Sequence, residues 1–272
     1  MSRTTLTRGS LALIAALATA LVVGDVGASR AADKPKLTLA TLSYQPVWCG
    51  EETEALGQDV CHVRGTPAAD GRRTLVIFLH GVIAKNSMWQ WFQERMIGRV
   101  AKELHFDAMF PQAPPVGRNG AGGFAWPGLV KGDGADEQAL VDGWLAAKQK
   151  LEEKNGRPFD EVYVAGFSSG AYFAAQLALH AKLAIDGYIV MAGGAPSEPS
   201  AEATGSKRVP VFVGVCASDR ASAPAARELG QLLRAKSWPV RIDEQPFGHG
   251  VSDVHVAHAL AWFRARRVAA AK

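Results

Sequence analysis

The sequence predicts an α/β fold in which a mostly parallel sheet carries helices on both faces. Strand-like and helix-like segments alternate along the chain, as they do where a crossover helix follows each parallel strand. Residues 74–79 form a continuous apolar run, which is typical of a strand buried on both faces of such a sheet. The 272 residues fit one domain of this kind, and no interior linker divides them.

The strands are predicted from short apolar runs bounded by turn residues. The run at 108–110 stops at Pro111, which has no N–H to donate to a sheet. The first predicted strand is expected at an edge of the sheet, and a polar stretch with two cysteines follows it. The predicted strands are 37–42, 74–79, 108–110, 162–165, 187–192, 209–215 and 240–245.

The helices are predicted from longer stretches with apolar residues at helical spacing. Asn86 or Ser87 is expected to cap the first helix, which runs to about residue 104. The next helix, at 135–154, is expected to bury one face formed by Leu140, Trp144, Leu145 and Leu151. The remaining predicted helices are 171–182, 224–236 and 253–267.

The first 31 residues have the layout of a secretory signal peptide. Arg3 and Arg8 precede an apolar stretch at 11–23, and small residues follow it. The stretch is too short to favour a membrane span, which needs about 20 residues; the alternative is an uncleaved anchor. We therefore expect residues 32–272 to form a secreted or periplasmic protein with no membrane span.

Charge and cysteine content bound the partners and the compartment. The formal net charge of +4 falls to about +2 without residues 1–31, because three arginines outweigh one aspartate there. This small surplus and the absence of a basic block predict no nucleic-acid partner. In an oxidising compartment a disulfide between Cys49 and Cys61 is favoured over free thiols. Cys216 is expected to be a small buried hydrophobe.

Two segments interrupt the alternation of strands and helices. Residues 114–134 hold seven glycines in 21 positions, together with Trp126. A connection of this length indicates a functional loop. Residues 193–206 are too few for a helical cap, so we expect no large cap domain and an open pocket.

Residues 166–170 carry the strongest functional signal. They read Gly-Phe-Ser-Ser-Gly and lie between a predicted strand and a predicted helix. A G-x-S-x-G turn in this position strains the backbone of its serine and exposes the Oγ atom. The glycines are expected because a Cβ at either position would collide with a neighbouring element. Ser168 is therefore the candidate nucleophile.

A serine nucleophile needs a base, and the base needs an acid to orient it. Asp219 and His249 follow the predicted strands 209–215 and 240–245, in the expected order after Ser168. The glycines beside His249 are expected to let its ring turn towards the serine. The alternatives are a helix-capping role for Asp219 and a surface position for His249. Asp186 and Asp243 are poorer candidates because neither follows the end of a strand.

The turn after strand 74–79 is expected to complete the site. An oxyanion hole needs two backbone N–H groups, here predicted to come from Val82 and Ser169. Gly81 allows the turn; an ordinary strand-ending turn is the alternative. Residues expected to contact substrate are His80, Gly81, Met88, Trp89 and Trp126, although tryptophans at helical spacing are more often core.

No metal or cofactor is predicted. His255 and His258 lie three residues apart on a helix expected to face solvent, but no third ligand is placed beside them. The chain has no Walker A loop, dinucleotide glycine fingerprint or H-E-x-x-H pair.

These motifs resemble those of the α/β-hydrolase family over about residues 74–267. Residues 110–114 followed by Trp126 resemble its phospholipase/carboxylesterase branch, which usually has Gln where this chain has Ser169. The secreted polyester-depolymerase and feruloyl-esterase-like group is the other close resemblance. Both imply a serine hydrolase that cleaves small-molecule or polymeric carboxylic esters through an acyl-enzyme. A peptidase or amidase with the same triad, and a non-catalytic binding protein, remain alternatives; the oligomeric state is left open.

Overall fold

The fold is described from a computed structural model of the protein. The structure describes residues 48–57, 59–85, 87–117, 122–128, 137–201, 203 and 208–270. The signal peptide predicted at 1–31 and the strand predicted at 37–42 lie outside these residues.

An eight-stranded sheet forms the centre of the described part of the chain, in the order β1-β2-β4-β3-β7-β8-β9-β10. The six strands from β4 to β10 in that order are parallel, and β1 and β2 extend the sheet with antiparallel pairings. The predicted, mostly parallel sheet is therefore confirmed. The strands are β1 (Glu54–Ala55), β2 (Val60–Val63), β3 (Thr74–Leu79), β4 (Asp107–Pro111), β5 (Pro115–Val116), β6 (Gly123–Phe124), β7 (Glu161–Phe167), β8 (Gly187–Met191), β9 (Val211–Cys216) and β10 (Val240–Gln245).

Helices cover both faces of the sheet and bury two apolar cores. One core joins the sheet to α1 and α5, and the other joins it to α2, α3 and α4. None of the helices in the described residues is long and apolar enough to cross a membrane. The helices are α1 (Trp89–Leu104), α2 (Glu137–Asn155), α3 (Ser169–His180), α4 (Ala223–Ala235) and α5 (Asp253–Ala270).

Two details of the predicted helices were wrong. The N-cap of α1 is Met88, whose side chain makes no capping bond, while Ser87 accepts a 3.4 Å hydrogen bond from the N–H of Trp89; Asn86 lies outside the described residues. Leu145 on α2 is exposed although Trp144 is buried. Adjacent residues of a helix point about 100° apart, so Leu145 lies outside the buried stripe that contains Trp144.

Strand β2, which was not predicted, fixes the amino-terminal segment of the described chain. Cys61 on β2 forms a disulfide with Cys49, as predicted, and Cys216 is buried with a free thiol. The neighbouring Trp48 is buried, and its indole N–H donates to the carbonyl of Phe110 over 3.2 Å. The disulfide and this bond hold the segment against the sheet.

The first interrupting segment lies beside the carboxyl end of β3, and the second leaves the carboxyl end of β8 and reaches the last turn of α3, where the N–H of Ser200 donates to the carbonyl of Leu179. In the described part of 114–134, β5 and β6 pair with each other, and Phe124 forms a bridge with Ile83 in the loop after β3. Residues 193–200 contain neither helix nor strand. The mostly parallel fold therefore agrees with the sequence prediction, and the described residues of the two segments form no large cap.

Candidate active site

Ser168 occupies a sharp turn between β7 and α3. Its backbone angles, φ 51° and ψ −116°, lie in a region that L-residues rarely adopt. A Cβ at Gly166 would lie 2.1 Å from the carbonyl oxygen of Gly170, and one at Gly170 would lie 2.0 Å from that of Leu79. The turn therefore requires glycine at both positions, and it presents the Ser168 side chain at the carboxyl end of the sheet.

The structure brings Ser168, His249 and Asp219 together although they are far apart in sequence. The Ser168 Oγ lies 2.9 Å from Nε2 of His249, and Nδ1 of His249 lies 2.6 Å from Oδ2 of Asp219. A carboxylate accepts only from a protonated nitrogen, so this contact places the imidazole proton on Nδ1. Nε2 then keeps its lone pair towards the hydroxyl of Ser168. This arrangement can remove the proton from the serine.

Asp219 is held as a carboxylate by several donors. Burial acts to raise its pKa, but hydrogen bonds from Ser222, His249 and the backbone outweigh burial and keep the pKa below its usual value. The hydroxyl of Ser222 donates to Oδ2, and the N–H groups of Ala221 and Ser222 donate to Oδ1 over 3.1 and 3.3 Å. The aspartate is therefore both a charge partner of His249 and a cap of the turn before α4.

The glycines beside His249 do not have the expected role. A Cβ at Gly248 or Gly250 would meet no atom within 4 Å, and neither glycine has a φ in the left-handed region. The loop therefore does not require glycine there. The His249 ring packs against Phe167, with ring centroids 5.1 Å apart, and this contact and Asp219 orient it.

The loop after β3 lies against the nucleophile. A Cβ at Gly81 would lie 3.3 Å from the Cβ of Ser168. The N–H of Gly81 donates to Oε1 of Gln93 over 2.8 Å, and Ile83 exchanges two backbone hydrogen bonds with Phe124. Within the described residues, the N–H groups of Val82 and Ser169 donate no hydrogen bond. These two N–H groups, one on the residue after Ser168 and one on the residue after Gly81, have no acceptor among the described residues.

His80 and Trp126 are buried rather than exposed to substrate. The Trp126 indole N–H donates to the carbonyl of His80 over 2.9 Å, and its ring stacks on Phe173 in the core. The substrate-wall prediction for Trp126 is therefore wrong. Burial lowers the pKa of His80 to about 4, so its ring is neutral at neutral pH. Both side chains therefore support the loop after β3 from the side of the buried core.

Met88 and Trp89 lie in an exposed apolar surface beside this loop. Val82, Met88, Trp89, Trp91 and Phe92 have between 44% and 61% of their surface exposed. We call these five residues the α1 apolar surface. The Phe92 ring lies 6.3 Å from that of Trp89 and 5.0 Å from that of Trp91, and patches of exposed apolar side chains often mark a binding site.

Comparison with known proteins identifies the family. Residues 66–259 match the model of the phospholipase/carboxylesterase family of α/β hydrolases. The chain belongs to this family. It is therefore a hydrolase of the esterase and thioesterase class, and the resemblance noted in the sequence is confirmed.

The proteins that match this chain share little sequence identity with it. The acyl-protein thioesterase 1 of Debaryomyces hansenii is 22% identical over 179 residues, covering 58% of this chain and 75% of the relative. A homologue of acyl-protein thioesterase 1 from Dictyostelium discoideum is 29% identical over 132 residues; the match spans 45% of this chain and 58% of that protein. The carboxylesterase structure from Mesorhizobium loti has a TM-score of 0.57 at 17% identity, covering 79% of this chain and 99% of that one, and shows the shared fold.

The other polar candidates of this carboxylesterase-family chain lie apart from the catalytic contact. Asp186 accepts a 2.8 Å hydrogen bond from the N–H of Val162, and Asp243 pairs with His258 at 3.0 Å. His255 was expected to face solvent, but it is fully buried and packs edge-on against Phe247. Among the described residues, no group of three or more His, Cys, Asp or Glu side chains is arranged to bind a metal.

The sequence analysis missed Gln93 and Ser222. Gln93 carried a signal, because it lies four and seven residues before Ile97 and Val100 and so falls within the buried stripe of α1. A polar side chain in such a stripe usually has a specific hydrogen-bond partner. The sequence contained no signal that Ser222 would donate to Asp219.

Proposed function

We propose that this family member is a serine hydrolase that cleaves carboxylic esters through an acyl-enzyme. The observation that carries this proposal is the continuous hydrogen-bond chain from Ser168 through His249 to Asp219. Such a chain gives a serine hydroxyl the base that it lacks at neutral pH. The two unbonded N–H groups beside it supply donors for an oxyanion.

The reaction follows from the geometry in two balanced steps. The Ser168 Oγ adds to the ester carbonyl carbon while its proton passes to Nε2 of His249. The tetrahedral intermediate expels the alcohol oxygen, which takes this proton, and the acyl group stays on Oγ. Water then repeats the sequence: it gives a proton to His249, attacks the acyl carbon and releases the acid, while Oγ regains its proton. Val82 and Ser169 bind the negative oxygen in both steps.

The leaving group distinguishes the proposed esterase from an amidase. We expect matched acetyl esters and thioesters to be cleaved at least about 100-fold faster than the anilide, because an amide nitrogen depends on protonation by His249, a contribution of 10²–10⁴-fold. The measurement compares the rates at which purified protein hydrolyses the p-nitrophenyl ester, the thiophenyl ester and the p-nitroanilide of acetic acid. Equal rates on ester and anilide would favour the amidase. Turnover of none of them would contradict the proposed function.

The α1 apolar surface is proposed to bind the acyl part of the ester. Replacing Trp89 by serine should raise KM for a p-nitrophenyl octanoate by roughly 5–30-fold, equivalent to about 1–2 kcal/mol of lost apolar contact, and leave p-nitrophenyl acetate nearly unchanged. Leu145→Ser is the matched control, because Leu145 is also exposed and apolar but lies on α2. A similar change in both variants, or none in Trp89→Ser, would rule out this surface.

We further propose that the protein is exported and acts on a small-molecule or polymeric ester outside the cytoplasm. The layout of residues 1–31 and the Cys49–Cys61 disulfide support this compartment. Amino-terminal sequencing of protein recovered from the periplasm or medium should show cleavage after Ala31 or after Ala28. Recovery of full-length protein in the cytoplasm alone would contradict export.

A further inference from the structure

We propose that His80 is a positioning residue for the oxyanion hole: its imidazole, locked in the Nδ1–H tautomer, holds the carbonyl of Gly81 and thereby aims the N–H of Val82 at the reacting oxygen. The inference rests on the proposed esterase function and adds to it a residue that touches no substrate. It also replaces the expectation that His80 contacts substrate directly.

The tautomer of His80 follows from its two hydrogen-bond partners. The N–H of Ala113 points at Nε2 over 3.0 Å, so Nε2 must accept and carries no proton. The neutral ring therefore has its proton on Nδ1, which donates to the carbonyl oxygen of Gly81. The ring is fully buried, and the low pKa of His80 keeps it neutral. In a protonated ring, Nε2 would carry an N–H that faces the N–H of Ala113, and two donors cannot form a hydrogen bond.

Peptide geometry carries the effect of His80 to Val82. The carbonyl of Gly81 and the N–H of Val82 belong to one trans peptide, in which the two bonds point in opposite directions. Because His80 draws the carbonyl towards the core, the N–H of Val82 points away from the core. Gly81 lies close to Ser168, since a Cβ built on it would be 3.3 Å from the Ser168 Cβ, and the next residue, Val82, is exposed.

Other hydrogen bonds hold the backbone before and after this peptide, so the bond from His80 determines how the peptide is rotated. Gln93 binds the N–H of Gly81, and the backbone of Phe124 binds both polar groups of Ile83. The described residues provide the Gly81 carbonyl with no hydrogen-bond donor other than His80. Without that donor, the peptide can rotate so that a carbonyl replaces the N–H in the hole.

The His80 ring is itself held in one orientation. Trp48, Phe110 and Trp126 pack against it with ring centroids 5.3, 5.7 and 5.2 Å away. The backbone carbonyl of His80 accepts hydrogen bonds from the N–H of Gly170 and the indole of Trp126. Three aromatic rings therefore surround the imidazole, and its two nitrogens bind the backbone of Gly81 and Ala113.

A pair of variants separates positioning from mere packing. The Asn amide nitrogen lies near the place of Nδ1, so His80→Asn keeps a donor for the Gly81 carbonyl. Gln reaches the place of Nε2, so His80→Gln keeps only the partner of Ala113. We expect His80→Gln to lower kcat on p-nitrophenyl acetate by about 10²–10³-fold with KM little changed, the loss that accompanies removal of one oxyanion donor. His80→Asn should restore kcat to within about tenfold of wild type.

A purely structural role predicts a different pattern. Both variants would then lose stability, measured by thermal unfolding, and their kcat would fall together or not at all; either result would overturn the proposal. If wild-type protein does not hydrolyse the ester, the proposed function fails instead, and the two failures are distinct.

Nitrogen-15 NMR of wild-type protein gives a test that needs no variant. The His80 ring should show a protonated Nδ1 and an unprotonated Nε2 from pH 5 to 8. An Nε2–H tautomer, or a ring that titrates in this range, would contradict the mechanism.

Discussion

Replacing Ser168 by alanine is expected to lower kcat on p-nitrophenyl acetate by about 10⁴–10⁶-fold and to abolish labelling by a fluorophosphonate. The alcohol that becomes acylated is lost, while alanine keeps the Cβ at this strained position. The folded structure should therefore survive, as circular dichroism and thermal unfolding can verify.

Ser237 provides a matched control for this substitution. It is also a serine with positive φ, 54° against 51° for Ser168, but it lies between α4 and β10. Ser237→Ala should retain both turnover and labelling. Turnover by Ser168→Ala at the wild-type rate would show that another nucleophile performs the reaction.

Replacing Asp219 by asparagine should lower kcat by about 10⁴-fold. The Asn carbonyl can still accept from the backbone of Ala221 and Ser222, so its amide N–H₂ group would face Nδ1 of His249. Nδ1 must then accept, and the ring proton moves to Nε2. His249 can no longer take the proton of Ser168. Steady-state kinetics on p-nitrophenyl acetate measure the loss.

Asp243→Asn is the matched control for Asp219. Asp243 also pairs with a histidine, His258, at 3.0 Å, but this pair does not contact Ser168. The control should keep kcat near the wild-type value. Equal losses in the two variants would mean that removing a negative charge, rather than reversing the His249 tautomer, lowers activity.

Most of the sheet was predictable because its parallel strands are buried on both faces. Such strands appear as apolar runs, and the run at 74–79 coincides with β3, whose six residues are all buried. The bounds 240–245 also coincide with β10, but this edge strand alternates polar and apolar residues and is only partly buried. Strand β2 was missed because its four residues pair with β4, nearly 50 residues away in the chain. A segment this short is defined by its partner rather than by its own pattern.

The site was predictable where one local turn dictates the chemistry. The turn around Ser168 limits the residues that fit, and its partners follow strands in a known order. Hydrogen bonds such as that from Gly81 to Gln93 depend on tertiary packing and leave only a faint local pattern. Trp126 was misplaced for a related reason: its loop is rich in glycine and appears open, yet a large apolar ring gains more from burial than from exposure.

The Cys49–Cys61 disulfide lies next to a residue that packs on the His80 ring. Trp48, next to Cys49, covers one side of the His80 ring. The side chain of Gln90 on α1 donates a hydrogen bond to the backbone carbonyl of Trp48. Closing a loop of this length stabilises the folded chain by about 3 kcal/mol, through a loss of unfolded-state entropy in the usual account. We therefore expect thiol reduction to loosen the contact of Trp48 with the His80 ring, the residue proposed to orient Val82, and an oxidising compartment to favour the proposed site.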